Sequence, residues 1–266
     1  MWKEGVLKME AAVLYSVENG IATITMNRPK AMNSMNDGLI DGLHEALDKV
    51  EADPEVKAVV LTGSGKAFCA GGDLNYLNGL EGVGVKKAFI AKVGNVAKRI
   101  TTIEKPFIAL VNAVAAGAGV NLMLACDFVY ASDKARFMEA FAKVGLIPDC
   151  GGLFFLPKAV GLLKAKELMM TADLIDAATA EKLGLVSYVY PDAEVAEKAY
   201  AMAARMAKSA PIAIGLMKKY LNNTALTLDE VLAIEETTQP LLMGSADCKE
   251  GIAAFLEKRA PEFTGK

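Results

Sequence analysis

The chain has 266 residues, 53% of them hydrophobic, and its 29 basic residues nearly balance its 32 acidic ones. That length and apolar fraction suffice for one large domain, and they leave apolar surface that subunits could share. No basic block is long enough to neutralise a phosphate backbone, which argues against nucleic-acid binding.

The cysteine and histidine content narrows the class of protein further. Four widely spaced cysteines without a CxxC pair are typical of thiols in a reducing compartment, so we expect a cytoplasmic protein. The single histidine, His44, cannot support a zinc site or a Ser–His pair, and its place beside an apolar helix stripe indicates a solvated surface residue.

Two segments bear on secretion and membranes. The first twelve residues carry four charges and no long apolar stretch, so a secretory signal peptide is not expected. Residues 107–126 contain no charge, and a hydropathy window would mark them as a membrane helix. Asn112, Asn121, Gly117 and Gly119 interrupt that segment, and we expect a buried strand, a turn and a buried helix instead.

The first half of the chain predicts alternating strands and helices. An alternating segment turning at Asn19 and Gly20 predicts a β-hairpin. Asn36 is placed to cap an amphipathic helix with four residues on one stripe: Leu39, Leu43, Leu47 and Val50. Residues 56–62 are rich in β-branched and apolar residues, which predicts a strand buried on both faces. A glycine-rich loop, 63–72, then leads to a second helical region ending near Ile103.

The same pattern repeats at residues 107–125, with short strands predicted at 127–131 and 135–138, so we expect an α/β core with mostly parallel strands. Beyond about residue 192 strand signals vanish. Four helices are predicted there, at 192–209, 211–223, 228–243 and 246–259, with Ser245 and Asp247 placed to cap the last. We therefore divide the chain into an α/β core, residues 1–191, and a helical region, residues 192–266.

Two stretches combine an apolar strand, a Gly/Ala-rich turn and a helix start. They are "GKAFCAGGDL" (65–74) and "VNAVAAGAGVNLMLACD" (111–127). Such turns expose backbone N–H groups at a helix start, and two of them meeting in space would form an oxyanion hole. The alternative is that the small residues serve only tight strand–helix packing. A dinucleotide site is disfavoured because Leu122 stands where the third glycine would be.

A third stretch, "AFAKVGLIPDCGG" (140–152), places Asp149 in a predicted loop among apolar residues. A partly desolvated carboxylate has a raised pKa, which suits a general base. The alternative is that Asp149 only caps a helix beginning at Gly151. Cys150 lacks a histidine that could activate it as a nucleophile.

Together with "TMNRPKAMNSMN" (25–36) and the C-terminal "ADCKEGIAAFLEKRAPEFTGK", these motifs make the chain resemble the crotonase (enoyl-CoA hydratase/isomerase) superfamily over nearly its whole length. The resemblance implies a spiral ββα α/β core and a helical C-terminal trimerisation region, assembled as a trimer or a dimer of trimers. It also implies a coenzyme A thioester substrate whose carbonyl oxygen lies between two backbone N–H groups. Coenzyme A then enters as part of the substrate, and neither a separate cofactor nor a metal is expected.

The resemblance assigns roles residue by residue. The two N–H donors fall on Gly72 and Ala118. Three residues match positions that line the adenine and pantetheine of coenzyme A, namely Lys30, Ala31 and Ala70. Asp73 follows Gly72 in the same ligand-binding stretch and is expected to cap a helix rather than catalyse.

The departures from the family pattern shape the functional hypothesis. Hydratases of the family hold water with two glutamates, and those positions here carry Asn121 and Phe141, with Glu139 as the only nearby substitute. Asp149 matches the acid of a subset of the family, and residues 135–152 and the final "FTGK" resemble ring-1,2-epoxyphenylacetyl-CoA isomerases. We therefore expect an isomerase that shifts a double bond or converts an epoxide to an oxepin. The alternatives are a hydratase using Asp149 or Glu139, and a non-catalytic acyl-CoA-binding protein.

Overall fold

The computed structural model describes residues 11–223 and 225–266. In this part of the chain one sheet has six strands, adjacent in this order: β1 (Val13–Glu18), β2 (Ile21–Met26), β3 (Ala58–Gly63), β5 (Phe107–Val111), β7 (Phe128–Ser132) and β10 (Tyr188–Tyr190). A second sheet has four: β4 (Ala67–Cys69), β6 (Val114–Ala116), β8 (Arg136–Met138) and β9 (Ile175–Asp176). Pairing is antiparallel in β1–β2 and β8–β9 and parallel elsewhere in these sheets. The predicted α/β core with mostly parallel strands is confirmed.

Strands β1, β2, β3, β5 and β7 form where the sequence predicts them, whereas β10 was not predicted. Asn19 and Gly20 both adopt positive φ, 50° and 76°, the left-handed geometry that a two-residue hairpin requires. All five residues of β5 are buried, and β3 is buried at every position except the half-buried Thr62. Continuous apolar sequence therefore corresponds to strands covered on both faces.

Helix α1 (Asp37–Ala52) shows how a helix is positioned against this sheet. The Asn36 side chain caps it by accepting a hydrogen bond from Leu39 N at 3.0 Å, and its predicted apolar stripe is fully buried. The interpretation of His44 as a solvated surface residue is wrong. Its ring is half-buried against α3 (Val83–Thr102), with Nε2 3.1 Å from the carbonyl oxygen of Lys92.

The uncharged segment 107–126 divides into β5, β6 and α4 (Ala118–Leu124), so the expected strand, turn and helix contain one further short strand. No helix in the described part of the chain is long and apolar enough to cross a membrane. The remaining helices before the tail are α2 (Leu74–Gly79), α5 (Gly152–Val160), α6 (Leu162–Thr171) and α7 (Ala177–Lys182).

The four predicted tail helices are confirmed, with bounds within three residues of the prediction: α8 (Val195–Ala207), α9 (Pro211–Asn222), α10 (Leu228–Gly244) and α11 (Ala246–Glu257). Helix α8 packs its small side chains, Val195, Ala199 and Ala203, against the first sheet. The division of the chain between residues 191 and 192 stays a prediction.

The caps of α11 differ in part from the prediction. Ser245 accepts a hydrogen bond from Cys248 N at 3.0 Å and is the N-cap. Asp247 is not a cap, because Ser245 already holds that position. Its buried carboxylate instead accepts hydrogen bonds from Thr264 N (2.7 Å) and Gly265 N (2.9 Å), which fasten the last residues to the start of α11.

Candidate active site

The first Gly-rich turn joins β4 to α2. Met35 N donates to the carbonyl oxygen of Gly71 at 2.7 Å, and Asp73 N donates to the carbonyl oxygen of Met35 at 2.9 Å. Gly71 has a φ of 89°, which favours glycine. Among the described residues, the N–H of Gly72 between these two bonds has no acceptor. It can therefore donate to a ligand.

The second turn joins β6 to α4. Gly117 has a φ of 50° and donates its N–H to the carbonyl oxygen of Met138 at 2.8 Å. Ala118 follows as the first residue of α4, where a backbone N–H has no acceptor inside its own helix. A second donor is thus available at a helix start, where the positive end of the helix dipole favours negative charge.

The two turns are in contact. A Cβ on Gly71 would lie 2.9 Å from the carbonyl oxygen of Ala116 and 3.5 Å from the nitrogen of Ala118. A Cβ on Gly119 would lie 2.1 Å from the carbonyl oxygen of Cys69. Packing therefore requires small residues here, but packing alone does not require the unpaired N–H of Gly72. Two unpaired backbone N–H groups on turns in contact are the donors that an oxyanion hole requires.

Asp73 caps α2, as the sequence predicts. It accepts a hydrogen bond from Tyr76 N at 3.3 Å and pairs with Arg28 at 3.0 Å. Burial raises the pKa of Asp73, but the hydrogen bond from Arg28 and those from backbone N–H groups outweigh it, so the pKa lies below its ordinary value. The sequence analysis did not identify Arg28, because a single arginine within "TMNRPKAMNSMN" (25–36) does not indicate an ion pair.

The residues expected to line coenzyme A lie near the first turn. A short 3-10 turn carries Lys30, which is exposed, and Ala31, which is half-buried. Ala70 N donates to the carbonyl oxygen of Met32 at 3.0 Å, which brings Ala70 beside that turn. The side chain of the fully buried Asn33 accepts a hydrogen bond from Arg28 N and donates to the carbonyl oxygens of Ser64 and Ala67, which connects the same turn to the start of β4.

Asp149 lies in the loop before α5. Its backbone carbonyl oxygen accepts hydrogen bonds from Asn121 Nδ2 and Gly152 N, both at 2.9 Å. Helix α5 begins at Gly152 without a side-chain cap, so the alternative that Asp149 caps it is wrong. The carboxyl oxygen Oδ1 is buried and has no partner among the described residues. Burial raises the pKa of Asp149 to about 6, against the effect of a hydrogen bond from its own N–H.

Asn121 and Phe141, which the resemblance places at the positions of the two hydratase glutamates, flank the second turn. Asn121 is fully buried on α4, one turn after Ala118. The ring of Phe141 packs on Gly117, where a Cβ would be 3.6 Å from Cε2. Neither side chain can take a proton from carbon or water at neutral pH.

Glu139 directly follows the last residue of β8, Met138, and is buried. Neither carboxyl oxygen has a hydrogen-bond partner among the described residues. Burial raises the pKa of Glu139 to about 8, the charge of Asp149 adds to this, and the neighbouring Asn121 amide opposes it. Nothing in the sequence around Glu139 indicated this burial.

Cys150 offers no nucleophile. It is buried, with Sγ 3.9 Å from the carbonyl oxygen of Val93, and burial raises the pKa of its thiol well above the ordinary value. Within residues 11–223 and 225–266, no group of three or more His, Cys, Asp or Glu side chains could hold a metal ion.

Comparison with known proteins gives consistent matches. Residues 16–266 match the family model described as enoyl-CoA hydratase/isomerase. A 1,2-epoxyphenylacetyl-CoA isomerase of Escherichia coli K12 is 40% identical over 262 residues, covering 96% of this chain and 98% of the relative. A probable enoyl-CoA hydratase of Rhodobacter capsulatus is 38% identical over 255 residues, with the same coverage of 96% and 98%. The crystal structure of an enoyl-CoA hydratase from Bacillus anthracis superposes with a TM-score of 0.92 at 31% identity, covering 96% of this chain and 100% of that one.

Proposed function

The chain belongs to the enoyl-CoA hydratase/isomerase family of the crotonase superfamily and has its fold, and we propose that within this enzyme family it is an isomerase of coenzyme A thioesters. The N–H groups of Gly72 and Ala118 bind the thioester oxygen, and Asp149 moves the proton. The observation that carries this is the half-buried Asp149 carboxyl, whose buried Oδ1 has no partner among the described residues.

The proposed reaction needs one acid–base group. Asp149 removes a proton from the carbon beside the thioester of a 3-enoyl substrate, and the C–H electron pair delocalises through a dienolate onto the thioester oxygen. The two N–H donors stabilise that oxyanion. Protonated Asp149 then returns the proton at the far end of the dienolate, which gives the 2-enoyl product. Coenzyme A takes part only as the carrier of the acyl group.

Two substrate classes are compatible with such an oxyanion. One is an unsaturated acyl chain whose double bond shifts. The other is a ring epoxide that rearranges to an oxepin, and its support is the 40% identity to the Escherichia coli 1,2-epoxyphenylacetyl-CoA isomerase. Lys30, Ala31, Ala70 and Asp73 are proposed to border the coenzyme A moiety in either case.

A hydratase is the second candidate. Its support is the name of the Rhodobacter capsulatus relative and the second buried carboxyl, Glu139, beside Asp149. The non-catalytic alternative depended on Asp149 being only a helix cap, and α5 has no such cap.

The deciding experiment is Asp149→Asn, assayed with paired 3-enoyl-CoA and 2-enoyl-CoA substrates. Removing a general base should slow isomerisation by about a hundred- to ten-thousandfold. Coenzyme A thioester binding should persist in calorimetry, because Asn121 and Gly152 donate to the backbone of residue 149 and not to its side chain. The matched control is Asp229→Asn, an acid in the first turn of α10. The protein would be a hydratase instead if the wild type hydrates the 2-enoyl-CoA substrate rapidly and if Glu139→Gln abolishes this activity while Asp149→Asn leaves it unchanged.

We also propose an oligomer with three-fold symmetry, a trimer or a dimer of trimers, supported by the apolar surface of the helical tail. The cytoplasmic location stays a prediction from the cysteine pattern.

A further inference from the structure

Within residues 11–223 and 225–266, three buried polar oxygens near Asp149 lack hydrogen-bond partners. They are Oδ1 of Asn121 and both carboxyl oxygens of Glu139, whose residues are 0% and 3% exposed. A buried polar atom left without a hydrogen bond destabilises the fold, so such atoms are normally paired. The three atoms belong to neighbouring side chains, since the Asn121 amide lies close enough to the Glu139 carboxyl to lower its pKa, an effect that burial and the charge of Asp149 outweigh.

The orientation of the Asn121 amide is fixed. Its Nδ2 donates to the carbonyl oxygen of Asp149 at 2.9 Å. A flipped amide would place two acceptors, Oδ1 and that carbonyl, against each other. Gly152 packs so closely on the amide that a Cβ there would lie 2.3 Å from Nδ2 and 2.6 Å from Oδ1. Oδ1 of Asn121 therefore requires a donor, which an ionised carboxylate cannot supply and a protonated one can.

We propose that Glu139 is a positioning residue whose protonated carboxyl donates a hydrogen bond to Asn121 Oδ1, so that Asn121 holds the backbone of Asp149 in its reactive position. Glu139 does not itself exchange a proton with the substrate. This inference rests on the proposed function of Asp149. It adds that the protonation state of Glu139 also controls the reaction rate.

The charges around Glu139 favour the protonated form. Asp149 acts on it from the loop before α5, and Glu139 and Asp149 both act on the thiol of Cys150. Glu139 also lines, with Asp173, a small cleft of about 10 Å³. That volume is on the order of one water molecule. The pKa of Glu139, raised to about 8 chiefly by burial, keeps this proton in place at neutral pH.

The inference predicts a bell-shaped pH–rate profile. Below about pH 6 Asp149 is protonated and cannot act as a base. Above about pH 8 Glu139 ionises, loses the hydrogen bond to Asn121 and places a negative charge beside Asp149. Because the two acids interact, the two limbs belong to the pair rather than to either residue alone.

The experiment compares Glu139→Gln with Glu139→Leu from about pH 5 to about pH 10. Glutamine donates from its amide at every pH, so it should rescue the rate to within about threefold at neutral pH and abolish the alkaline limb. Leucine has no donor, so kcat should fall about tenfold with KM little changed, the effect of one lost hydrogen bond. Circular dichroism and thermal melts check that both variants fold.

Infrared difference spectroscopy without substrate gives an independent readout. The wild type at neutral pH should show the carbonyl band of a protonated, buried carboxylic acid, which disappears in alkali and in Glu139→Gln. Absence of that band, an unchanged alkaline limb in Glu139→Gln, or a wild-type rate in Glu139→Leu would overturn the positioning role. Loss of all activity in Glu139→Gln would instead make Glu139 a reacting group. None of these outcomes depends on the Asp149→Asn assay, which alone decides the proposed function.

Discussion

The amide of Asn121 donates a 2.9 Å hydrogen bond to the backbone carbonyl oxygen of Asp149. Asn121 lies one turn after Ala118 on α4, so a single short helix holds both the second N–H donor and the loop that carries the proposed base. A displacement of α4 would therefore move the two groups together. Their relative position is set by one hydrogen bond and the close packing of Gly152 on the Asn121 amide.

Replacing the second donor tests the oxyanion hole. Ala118→Pro removes one N–H at the first position of a helix, where proline is tolerated. Losing one such donor should lower kcat by about a hundred- to a thousandfold. The matched control is Leu228→Pro at the first position of α10, which follows an extended Thr227 and should leave kcat unchanged. Full activity in a folded Ala118→Pro variant would show that this turn does not bind the oxyanion.

Because Asp149 is partly buried, replacing its carboxyl group in Asp149→Asn should increase folding stability, and the increase should depend on pH. Its pKa is about 6 in the folded protein against an ordinary value of 3.8, so the folded state binds the proton more tightly. Ionised Asp149 therefore destabilises the fold above about pH 6, and this effect vanishes below about pH 4. Urea unfolding of Asp149→Asn should show a gain of about 1 to 3 kcal/mol at alkaline pH and none in acid.

Asp73→Asn is a control in which the change in folding stability should have the opposite sign. The pKa of Asp73 lies below its ordinary value, because Arg28 and backbone N–H groups outweigh burial. Its ionised form therefore stabilises the fold at neutral pH, and the contribution is lost as the carboxyl is protonated in acid. Asp73→Asn should lower stability at neutral pH. Equal effects of the two substitutions would contradict the assigned environments.

Elements with strong local signals were predictable. Strands β3 and β5 are continuous apolar runs, and α1 has both a cap, Asn36, and a buried stripe. The short strands β4, β6, β9 and β10 were not predicted, because each has at most three residues and is stabilised by pairing with a distant segment. Local sequence carries little information about such pairing.

The candidate site was predictable in its residues but not in its contacts. Asp149 was identified from its apolar neighbours, whereas the choice between base and cap depended on where α5 begins. The burial of Glu139 depends on the end of β8 at Met138 and on packing against α4, which the sequence around Glu139 does not encode. Arg28 pairs with Asp73 across 45 residues, beyond the reach of any local pattern.

A buried ion pair attaches α9 to the core. Lys218 Nζ lies 2.8 Å from Asp127 and donates to the carbonyl oxygen of Lys105 at 2.9 Å. Asp127 also accepts a hydrogen bond from Phe107 N at 2.7 Å. Lys218→Met would leave the half-buried Asp127 carboxylate without its cation, and urea unfolding should show a loss of about 1 to 3 kcal/mol.

The double variant separates lost charge pairing from lost packing. In Lys218→Met with Asp127→Asn no buried charge remains, and the asparagine oxygen can still accept from Phe107 N. Most of the stability lost by Lys218→Met should return, so the two effects are strongly non-additive. Simple addition of the single effects would mean that the pair contributes nothing beyond packing.

The helical tail predicts the assembly state. Helices α10 and α11 expose large apolar side chains (Leu241, Met243, Ile252, Phe255 and Leu256), and they border a groove of about 580 Å³. Exposed apolar area on this scale is typical of a surface that another subunit covers. Light scattering at micromolar concentration should give three or six times the mass of the chain, and a monomer would contradict the prediction.

Phe255→Glu should dissociate that assembly, because it places a charge where a neighbouring subunit would exclude water. The side chain of Phe255 is 83% exposed within one chain, so the substitution should leave the fold of the subunit intact. Val83→Glu is the matched control, since Val83 is equally exposed at 83% but lies at the start of α3, outside the tail. Circular dichroism should be unchanged in both variants, while the scattering mass falls only for Phe255→Glu. A fall in mass for Val83→Glu alone would place the subunit contact at α3 instead of the tail.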